Sequence, residues 1–441
     1  MPAPDSLRTQ LERIVRTAQA EKRLPSVSAA AVHDGEIIWA DAVGLADTER
    51  GETATPEHQY RIASITKTVT AVGLMQLRDE GKLDLEDTLD RHVPGAAHTP
   101  RLRALLAHLS GIQREVPGNV WETLVMPTRD ELLPRFAESE RVLAPGAYWH
   151  YSNLAYALLG EVLVRVAGMP AEEYLDERVL GPLGMSRTTW TAVDPAATGY
   201  LVDPYVDVPR EEPVIAGNAV APAAELWSTP SDLCRWAAFI ADPDPAVLAR
   251  ETLEEMRTFQ SMVDVTKWRL GYGLGFALYR VDERVFAGHD GAHAGFLGHV
   301  DALPEGKTGA AVLTNSGAGV TISELGLQLS RAVADAFPPV PEEWRPGEEA
   351  PAELAGVLGR WWSEGHEVVF SFRNGSLESL FVDARLDLGR SVYEQEQPDV
   401  YRVVRGYERG ELLRVVRDEA GEPVKLYFAT YPVTRTPETF G

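Results

Sequence analysis

Ser64 and Lys67 are the first pair of residues whose types and spacing could do chemistry. They stand three positions apart at the start of a helix predicted over 64–80, so their side chains share one helix face. A serine hydroxyl is a weak nucleophile until a neighbouring base removes its proton. A buried lysine can be that base, because desolvation lowers the pKa of its amine. The pair therefore predicts a nucleophile and its base, although a capping serine followed by a surface lysine has the same spacing.

Two further segments carry polar side chains that suit the same chemistry. Tyr151 and Asn153 lie at the amino end of a helix predicted over 153–167, and His289 stands two positions before Gly291. Serine in S-x-x-K, then Y-x-N, then a basic residue two positions before glycine is the motif order of the serine β-lactamases and penicillin-binding proteins.

The sequence resembles the class C β-lactamase and D-alanyl-D-alanine carboxypeptidase superfamily, including its esterase and D-aminopeptidase members, from about residue 7 to residue 337. The flanks of the motifs share this resemblance, in RIASITKTVTAVGLMQLRDEGKLDLEDTL, LRALLAHLSGI, APGAYWHYSNLAYALLGEVL, LGPLGMSRTTW, ELWSTPSDLCRW and GHDGAHAGF. Three motifs in order with matching flanks are a specific signal.

This resemblance implies a role for each motif residue. Ser64 would be the nucleophile, with Lys67 as its proton-transfer partner. Tyr151 would be the phenol or phenolate that carries a proton to the leaving group. Asn153 would hydrogen-bond the substrate amide or Lys67. A packing aromatic and a helix cap are the structural alternatives for the last two.

The remaining candidate residues surround the third motif. His289 stands where many members of the superfamily have the lysine of K-T-G. The resemblance places the oxyanion hole at the backbone N–H groups of Ser64 and of Ala292, which follows Gly291. His293 either contacts substrate or has a structural role.

Histidine in place of that lysine affects which activities are expected. His289 is mostly neutral near pH 7, so it binds a substrate carboxylate less firmly than a permanent cation would. The leading interpretation is a serine hydrolase that cleaves an ester or amide (a short D-residue peptide or a small ester) through an acyl-enzyme on Ser64. One alternative is a standalone penicillin-binding-protein-type thioesterase or cyclase that transfers a peptidyl acyl group to an amine. The other is a penicillin-binding sensor with slow deacylation.

The elements around the motifs indicate an α+β domain over residues 1–337. Strands are predicted near both ends of this domain, at 27–32, 37–43, 274–280, 284–287, 296–302 and 310–314. Between them lies a stretch of helical fragments over about 85–260. We therefore expect a β-lactamase/transpeptidase-like domain, in which helices flank an antiparallel sheet and an inserted helical subdomain packs on one side.

A second domain is predicted after a linker. Residues 338–352, PPVPEEWRPGEEAPA, are rich in Pro and Glu, as inter-domain linkers are. Over 353–441 short β-type runs alternate with turns, which predicts a small all-β, lipocalin-like barrel module. Trp361 and Trp362 belong either to its core or to the cap of a ligand cavity.

Composition and charge exclude several classes of function. The 441 residues are 44% hydrophobic and carry a formal net charge of −24, which repels nucleic-acid phosphates and anionic lipid surfaces. We expect a small-molecule or peptide substrate, no nucleic-acid or membrane partner, and leave the oligomeric state open. The opening residues MPAPDSLRTQ lack the pattern of a secretory signal, and the single cysteine, Cys234, forms no internal disulfide. These features favour a cytoplasmic location.

Neither a cofactor nor a metal is expected. The ten histidines show no ligand spacing such as H-E-x-x-H. A literal K-T-G occurs at 307–309, but it follows Pro304-Glu305-Gly306 and leads into a predicted strand. It therefore predicts a hairpin turn and not the catalytic motif.

Overall fold

The computed structural model describes residues 2–340, 343–382 and 389–438. Its chain divides into two units, Met1–Pro339 and Val340–Gly441. The division falls within the stretch 338–352, which is the predicted linker. The predicted α+β class of the first unit and the barrel class of the second are both confirmed, as the following paragraphs describe.

A nine-stranded antiparallel sheet organises the first unit. Its strand order is β3-β2-β1-β13-β12-β11-β10-β9-β8, so β1 near the amino end pairs with β13 near the carboxyl end of the unit. Two small antiparallel pairs, β4 with β7 and β5 with β6, lie outside it. The strands are β1 (Ser26–His33), β2 (Glu36–Asp47), β3 (Glu52–Thr53), β4 (Tyr60–Arg61), β5 (Tyr200–Val202), β6 (Pro209–Glu211), β7 (Trp227–Ser228), β8 (Ser261–Met262), β9 (Leu270–Tyr272), β10 (Ala277–Val281), β11 (Arg284–His293), β12 (Phe296–Leu303) and β13 (Thr308–Thr314).

Helices occupy the chain before, between and after these strands. They are α1 (Asp5–Glu21), α2 (Thr66–Asp79), α3 (Leu89–His92), α4 (Leu102–Leu106), α5 (Val120–Thr123), α6 (Arg129–Ala137), α7 (Asn153–Ala167), α8 (Ala171–Leu175), α9 (Ala221–Ala224), α10 (Pro230–Ala241), α11 (Arg250–Met256) and α12 (Ile322–Ala336). The helix predicted over 64–80 begins one residue earlier, as the 3-10 turn Ala63–Ile65, and continues as α2. The helix predicted over 153–167 is α7, with the same bounds.

Strand β1 shows how the two faces of the sheet are covered. Ala29 and Ala31 belong to a core cluster that includes the apolar residues of α1 and α12. Ala30 and Val32 point to the other face and belong to the large cluster that includes α2, α7 and α10. The period-two alternation of a strand therefore buries β1 on both sides, which explains why it is apolar almost throughout.

Strand β11 differs from its prediction. The sequence predicted a strand that ended at residue 287, but β11 runs to His293 and contains the whole H-x-G motif. Glycines in GHDG favoured a break, whereas here they permit close approach of neighbouring backbone. A Cβ atom at Gly288 would lie 2.0 Å from the carbonyl oxygen of Val300 in the adjacent strand. The glycine is thus a packing requirement of the sheet.

The second unit is a nearly closed antiparallel barrel of eight sequential strands. Two backbone hydrogen bonds, of 2.8 and 2.9 Å, join Trp362 in the first strand to Thr434 beyond the last strand. Trp361 is fully buried and donates its indole N–H to the Val357 carbonyl oxygen at 2.7 Å, so it belongs to the core. The strands are β14 (Gly359–Ser363), β15 (His366–Arg373), β16 (Ser376–Phe381), β17 (Ser391–Gln397), β18 (Val400–Arg405), β19 (Leu412–Arg417), β20 (Pro423–Phe428) and β21 (Tyr431–Val433).

In the described part of the chain no single helix has the length and apolar character needed to cross a membrane. Helix α7 and the following helical segment Ala171–Leu180 meet those criteria only as a pair, and they are bent by 79° relative to each other.

Candidate active site

Ser64 and Lys67 are brought together at the junction of the 3-10 turn and α2. Lys67 Nζ lies 3.2 Å from Ser64 Oγ. The preceding residue, Ala63, is fully buried and has a φ of 47°, in the left-handed region that a side chain disfavours. Such a conformation costs about 1–3 kcal/mol and persists only where the surrounding structure imposes it, most often at functional sites.

Lys67 is completely buried, and its amine lies within hydrogen-bond distance of three oxygen atoms. Its Nζ lies 2.7 Å from Asn153 Oδ1 and 2.8 Å from the carbonyl oxygen of Ala223, in addition to Ser64. Burial lowers the pKa of the Lys67 amine well below its usual value, and the nearby Glu115 carboxylate only partly opposes this. A neutral amine has two N–H donors, and the two oxygens of Asn153 and Ala223 accept them. Its lone pair is then directed at the Ser64 hydroxyl, as a base requires.

Tyr151 is the second titratable group at the Ser64 hydroxyl. Burial raises the pKa of its phenol, while a hydrogen bond with the Ser64 side chain acts in the opposite direction. The Tyr151 ring centre lies 4.8 Å from Lys67 Nζ and 4.9 Å from the guanidinium carbon of Arg114. At neutral pH the phenol therefore keeps its proton, and Ser64 lies between a proton acceptor and a proton donor.

Asn153 is held in one orientation by two neighbours. It is the first residue of α7, and its Oδ1 accepts from Lys67 while its Nδ2 donates to Glu115 Oε1 at 2.8 Å. The helix cap is supplied by the preceding residue, since Ser152 Oγ accepts the Ala155 N–H at 3.0 Å. The side chain of Asn153 is thus a link in the polar network of the site, and capping is not its function.

His289 projects from β11 and lines the same cavity as Ser64. Burial lowers the pKa of its imidazole to about 4, so it is neutral at pH 7. Its Nδ1 lies 2.5 Å from the carbonyl oxygen of Asp290 and its Nε2 lies 3.1 Å from the hydroxyl of Tyr272. In the neutral ring Nδ1–H donates to that carbonyl and Nε2 accepts from the tyrosine. Both nitrogens therefore have partners within the protein.

Gly291 and Ala292 bring β11 against the turn that carries the serine. A Cβ atom at Gly291 would lie 2.0 Å from the carbonyl oxygen of Ile62, two residues before Ser64. Glycine is therefore required for this approach. Ala292 is exposed and lines the cavity together with Ser64. The family resemblance predicts the oxyanion hole at the backbone N–H groups of these two residues.

His293 also reaches the cavity, from the end of β11. Its ring centre lies 5.8 Å from that of Trp121, and its Nδ1 accepts the Ala294 N–H at 2.9 Å. Burial lowers its pKa to about 3, with the charge of Arg61 adding to the effect. It is a neutral, partly exposed side chain in the wall of the cavity.

These residues share one cavity of about 360 Å³. Six of the eight predicted site residues line it, and the other two, Lys67 and Gly291, are buried directly behind Ser64. Apolar side chains form much of the remaining wall; among them are Trp121, Met126, Ile215, Val220, Val263, Leu270 and Ala277. Such a cavity suits a substrate with a substantial apolar group next to its reacting carbonyl.

His108, Glu115 and Tyr272 are among the residues of the site that were missed in the sequence. His108 is fully buried, accepts the Ser152 N–H at Nδ1 over 3.1 Å, and places its ring centre 4.4 Å from that of Tyr151. It lies in the LRALLAHLSGI stretch, and the family resemblance of this stretch could have identified it as a site residue. Glu115 and Tyr272 reach the site through contacts across 38 and 17 residues of chain, which no local pattern specifies.

The literal K-T-G at 307–309 is remote from this arrangement. Lys307 has a φ of 46° in the turn before β13, and its Nζ pairs with Asp242 at 2.6 Å and with Asp34 at 3.6 Å. It is thus part of a surface hairpin connection, as its sequence context indicates.

Comparison with known proteins gives matches for both units. The model of the family described as Beta-lactamase matches residues 11–333, and that of a domain of unknown function, DUF7586, matches residues 350–435. The D-alanyl-D-alanine-carboxypeptidase/endopeptidase AmpH of Escherichia coli (strain K12) is 30% identical over 201 residues, which are 43% of this chain and 51% of AmpH. Esterase EstB of Burkholderia gladioli is 28% identical over 336 residues, 66% of this chain and 84% of EstB.

A solved structure described as the octameric penicillin-binding protein homologue from Pyrococcus abyssi has a TM-score of 0.67 at 24% identity. The match covers 97% of this chain and 99% of that one, and it shows a shared fold. The chain spans about half the length of several curated relatives that it matches, although its match to EstB covers more.

Proposed function

The chain belongs to the Beta-lactamase family, and from this premise we propose that it is a serine hydrolase that cleaves an ester or amide through an acyl-enzyme on Ser64. The observation that carries the proposal is the fully buried Lys67 amine, 3.2 Å from the Ser64 hydroxyl. The two curated relatives named above, a carboxypeptidase/endopeptidase and an esterase, are hydrolases.

In the acylation step, the Ser64 O–H gives its proton to the neutral Lys67 amine while Oγ bonds to the substrate carbonyl carbon. The carbonyl π electrons move onto oxygen, and the backbone N–H groups of Ser64 and Ala292 would stabilise this oxyanion. When the tetrahedral intermediate collapses, the bond to the leaving group breaks and the Tyr151 phenol protonates the departing oxygen or nitrogen. The proton that Lys67 took from Ser64 then passes to the Tyr151 oxygen, which restores the phenol.

In the deacylation step, water takes the place of the leaving group. It gives a proton to the Lys67 amine as its oxygen bonds to the acyl carbon. Collapse releases Ser64 Oγ, which takes the proton back from Lys67. The acid product leaves, and each residue regains its starting protonation state. Asn153 holds the Lys67 amine in place during both steps.

We propose a short D-residue peptide or a small ester as the substrate. The apolar wall of the cavity supports an acyl group or side chain of some bulk, and the cavity volume supports a small molecule or a short peptide. The activities that AmpH and EstB are named for, on D-alanyl peptides and on esters, support the two substrate classes in turn. Acceptance of the acyl group by an amine instead of water would make the protein an acyltransferase, and product analysis separates the two.

The test is active-site labelling with a fluorophosphonate, followed by intact-mass measurement and peptide mapping. We expect one adduct, on Ser64, that is absent in Ser64→Ala. Ser186→Ala is the matched control, because Ser186 is exposed and outside the cavity lining, and it should label like the wild type. Labelling that persists in Ser64→Ala would overturn the assignment. Hydrolysis products of aryl esters, with and without added amine, then distinguish hydrolysis from acyl transfer.

A further inference from the structure

Asp290 is a carboxylate in the candidate catalytic cavity that the proposed mechanism does not use. It lies in β11 between His289 and Gly291, and it lines the cavity together with Ser64. Its side chain is 40% accessible, and the residue lines the cavity that a substrate would occupy. An acidic side chain beside a reacting carbonyl restricts which substrates can bind, because it repels anions and attracts cations.

The carboxylate is fixed in place from behind. His299 is completely buried, and its Nδ1 lies 2.5 Å from Asp290 Oδ1 while its Nε2 lies 2.6 Å from Asp301 Oδ2. A hydroxyl of Tyr279 also hydrogen-bonds to Asp290. Each His299 nitrogen faces a carboxylate oxygen, so both must carry protons to donate. The neighbouring carboxylates accordingly raise the pKa of His299 to about 10, against the effect of burial.

These contacts keep the Asp290 carboxylate ionised and leave part of its hydrogen-bonding capacity unused. Burial favours its neutral form, but the hydrogen bond and charge of His299 more than offset this and lower its pKa. A carboxylate has about four lone-pair positions, and His299 and Tyr279 use two. The others remain available on the accessible side. Two carboxylates around a single imidazolium leave one uncompensated negative charge at this wall.

The other charged side chains that line the cavity, within the described ranges, have their own counter-ions. Arg61 pairs with Glu225 at 3.0 Å, and Arg114 pairs with Glu115 at 3.4 Å. Burial lowers the pKa values of the three remaining basic groups, which are Lys67, His289 and His293. At neutral pH none of these groups supplies an unpaired cation at the cavity wall, so nothing in the lining balances the surplus negative charge of the group formed by Asp290, His299 and Asp301.

We propose that Asp290 forms a subsite for a cationic group of the substrate, a protonated or quaternary amine, and that it disfavours substrates with a carboxylate at the same place. This inference rests on the proposed hydrolase function and names its substrate class more closely. An ammonium group would donate charge-assisted hydrogen bonds to the free oxygen positions of Asp290. A quaternary amine would gain the charge attraction alone.

The experiment compares aryl acetates that carry a cationic group, its neutral isostere or a carboxylate at the same position. They are 3-(trimethylammonio)phenyl, 3-tert-butylphenyl and 3-carboxyphenyl acetate, with the charge on the leaving group. A second set places the charge on the acyl group, as phenyl esters of trimethylammonioacetic, 3,3-dimethylbutanoic and malonic acids. Each kcat/KM is divided by the rate constant for hydrolysis of the same ester catalysed by neutral imidazole, which corrects for intrinsic reactivity without adding a charge effect of its own. The set with the larger charge effect shows on which side of the scissile bond the subsite lies.

For the full-length wild-type protein, we expect about tenfold preference for the cationic over the neutral ester in at least one set, and an opposite preference against the carboxylate. Asp290→Asn keeps the shape and an acceptor for His299, and should bring all three esters of that set within about twofold of each other. Glu283→Gln is the matched control, since it removes an exposed carboxylate from the turn of the same β10–β11 hairpin. It should leave the preference unchanged.

The outcomes separate the two proposals. If the wild type hydrolyses the neutral esters but shows no preference between cationic, neutral and anionic esters, the Asp290 subsite is overturned. The proposed hydrolase function then still stands. A cation preference that persists in folded Asp290→Asn would assign the subsite to another group and overturn the inference as well. Inactivity towards every ester, with no label on Ser64, would overturn both. The first outcome needs only the wild-type protein. The proposal can therefore be tested even if the Asp290→Asn variant does not fold.

Discussion

Replacing Glu115 with glutamine should move the pH dependence of catalysis to lower pH. Glu115 Oε1 accepts from Asn153 Nδ2 at 2.8 Å, and Asn153 in turn contacts Lys67 at 2.7 Å. Glutamine has the same shape and keeps an acceptor oxygen, so the variant removes a charge and preserves the contact. The negative charge of Glu115 favours the protonated form of Lys67 and raises its pKa. Its removal therefore lowers that pKa, and the free-base form of Lys67 becomes available at lower pH.

The size of this shift follows from the separation of the two charges. The Asn153 amide lies between them, which places the Lys67 nitrogen and the Glu115 carboxylate on the order of 7 Å apart. At an effective dielectric constant near 20, two unit charges at that distance interact by about 2 kcal/mol. The Glu115 side chain is 28% exposed, so solvent screening reduces the interaction to roughly 1.4 kcal/mol, or one pH unit.

The assay is the pH profile of kcat/KM for a neutral aryl acetate, which reports the ionisation of the free enzyme. The acidic limb should move down by about one pH unit in Glu115→Gln. Glu122→Gln serves as the control, because Glu122 is an exposed carboxylate in α5 and its loss should leave the limb in place. An acidic limb of Glu115→Gln that is unchanged, or that moves to higher pH, would refute the assignment of Lys67 as the base.

Three further predictions concern other parts of the site. Lys67→Ala and Tyr151→Phe should each lower kcat by about 10²–10⁴-fold in steady-state assays, the usual effect of removing a positioned acid–base group; near wild-type rates would contradict the assigned role. Gly291→Ala should lose most activity, because its Cβ would lie 2.0 Å from the Ile62 carbonyl oxygen, and an active, crystallographically unshifted variant would refute this packing argument. Because the folded-state pKa of His299 is raised to about 10, its stabilising contribution is complete below the unfolded pKa of about 6.5 and is lost as the pH rises through 10. Urea unfolding should therefore show a falling free energy of unfolding from pH 7 to pH 10 in the wild type, and a flatter profile in His299→Gln.

Local patterns were sufficient to predict much of the fold. The helix Asn153–Ala167 has its predicted bounds, since Gly168 follows the last apolar turn with a φ of 74° and ends it. The antiparallel sheet with strands from both ends of the domain, the helical insertion and the C-terminal barrel are confirmed, as is the family resemblance. The family pattern specifies motif residues that are distant in sequence and lie on different elements. The fold brings these residues together in one cavity. Without that pattern, the sequence would not have predicted that Ser64 and His289 lie in the same site.

What the sequence did not reveal depends on tertiary contacts. The true end of β11 was missed because Gly288 and Gly291 resemble strand breakers, whereas each permits a backbone approach that a Cβ would block. Glu115 was missed because its partner, Asn153, is 38 residues away. The charge of His299 depends on two carboxylates that meet only in the folded sheet, although all three residues lie within 290–301. Sequence spacing alone did not indicate that these side chains share one face of two adjacent strands.

The most direct test of the central claim is a rapid-quench mass measurement of the full-length protein during turnover of an aryl ester. We predict a mass increase equal to the acyl group, mapped to the peptide that contains Ser64, which forms and decays at rates no slower than kcat. Ser64→Ala should show neither the adduct nor turnover. An adduct on a different residue, or turnover by Ser64→Ala at a rate close to that of the wild type, would contradict the account.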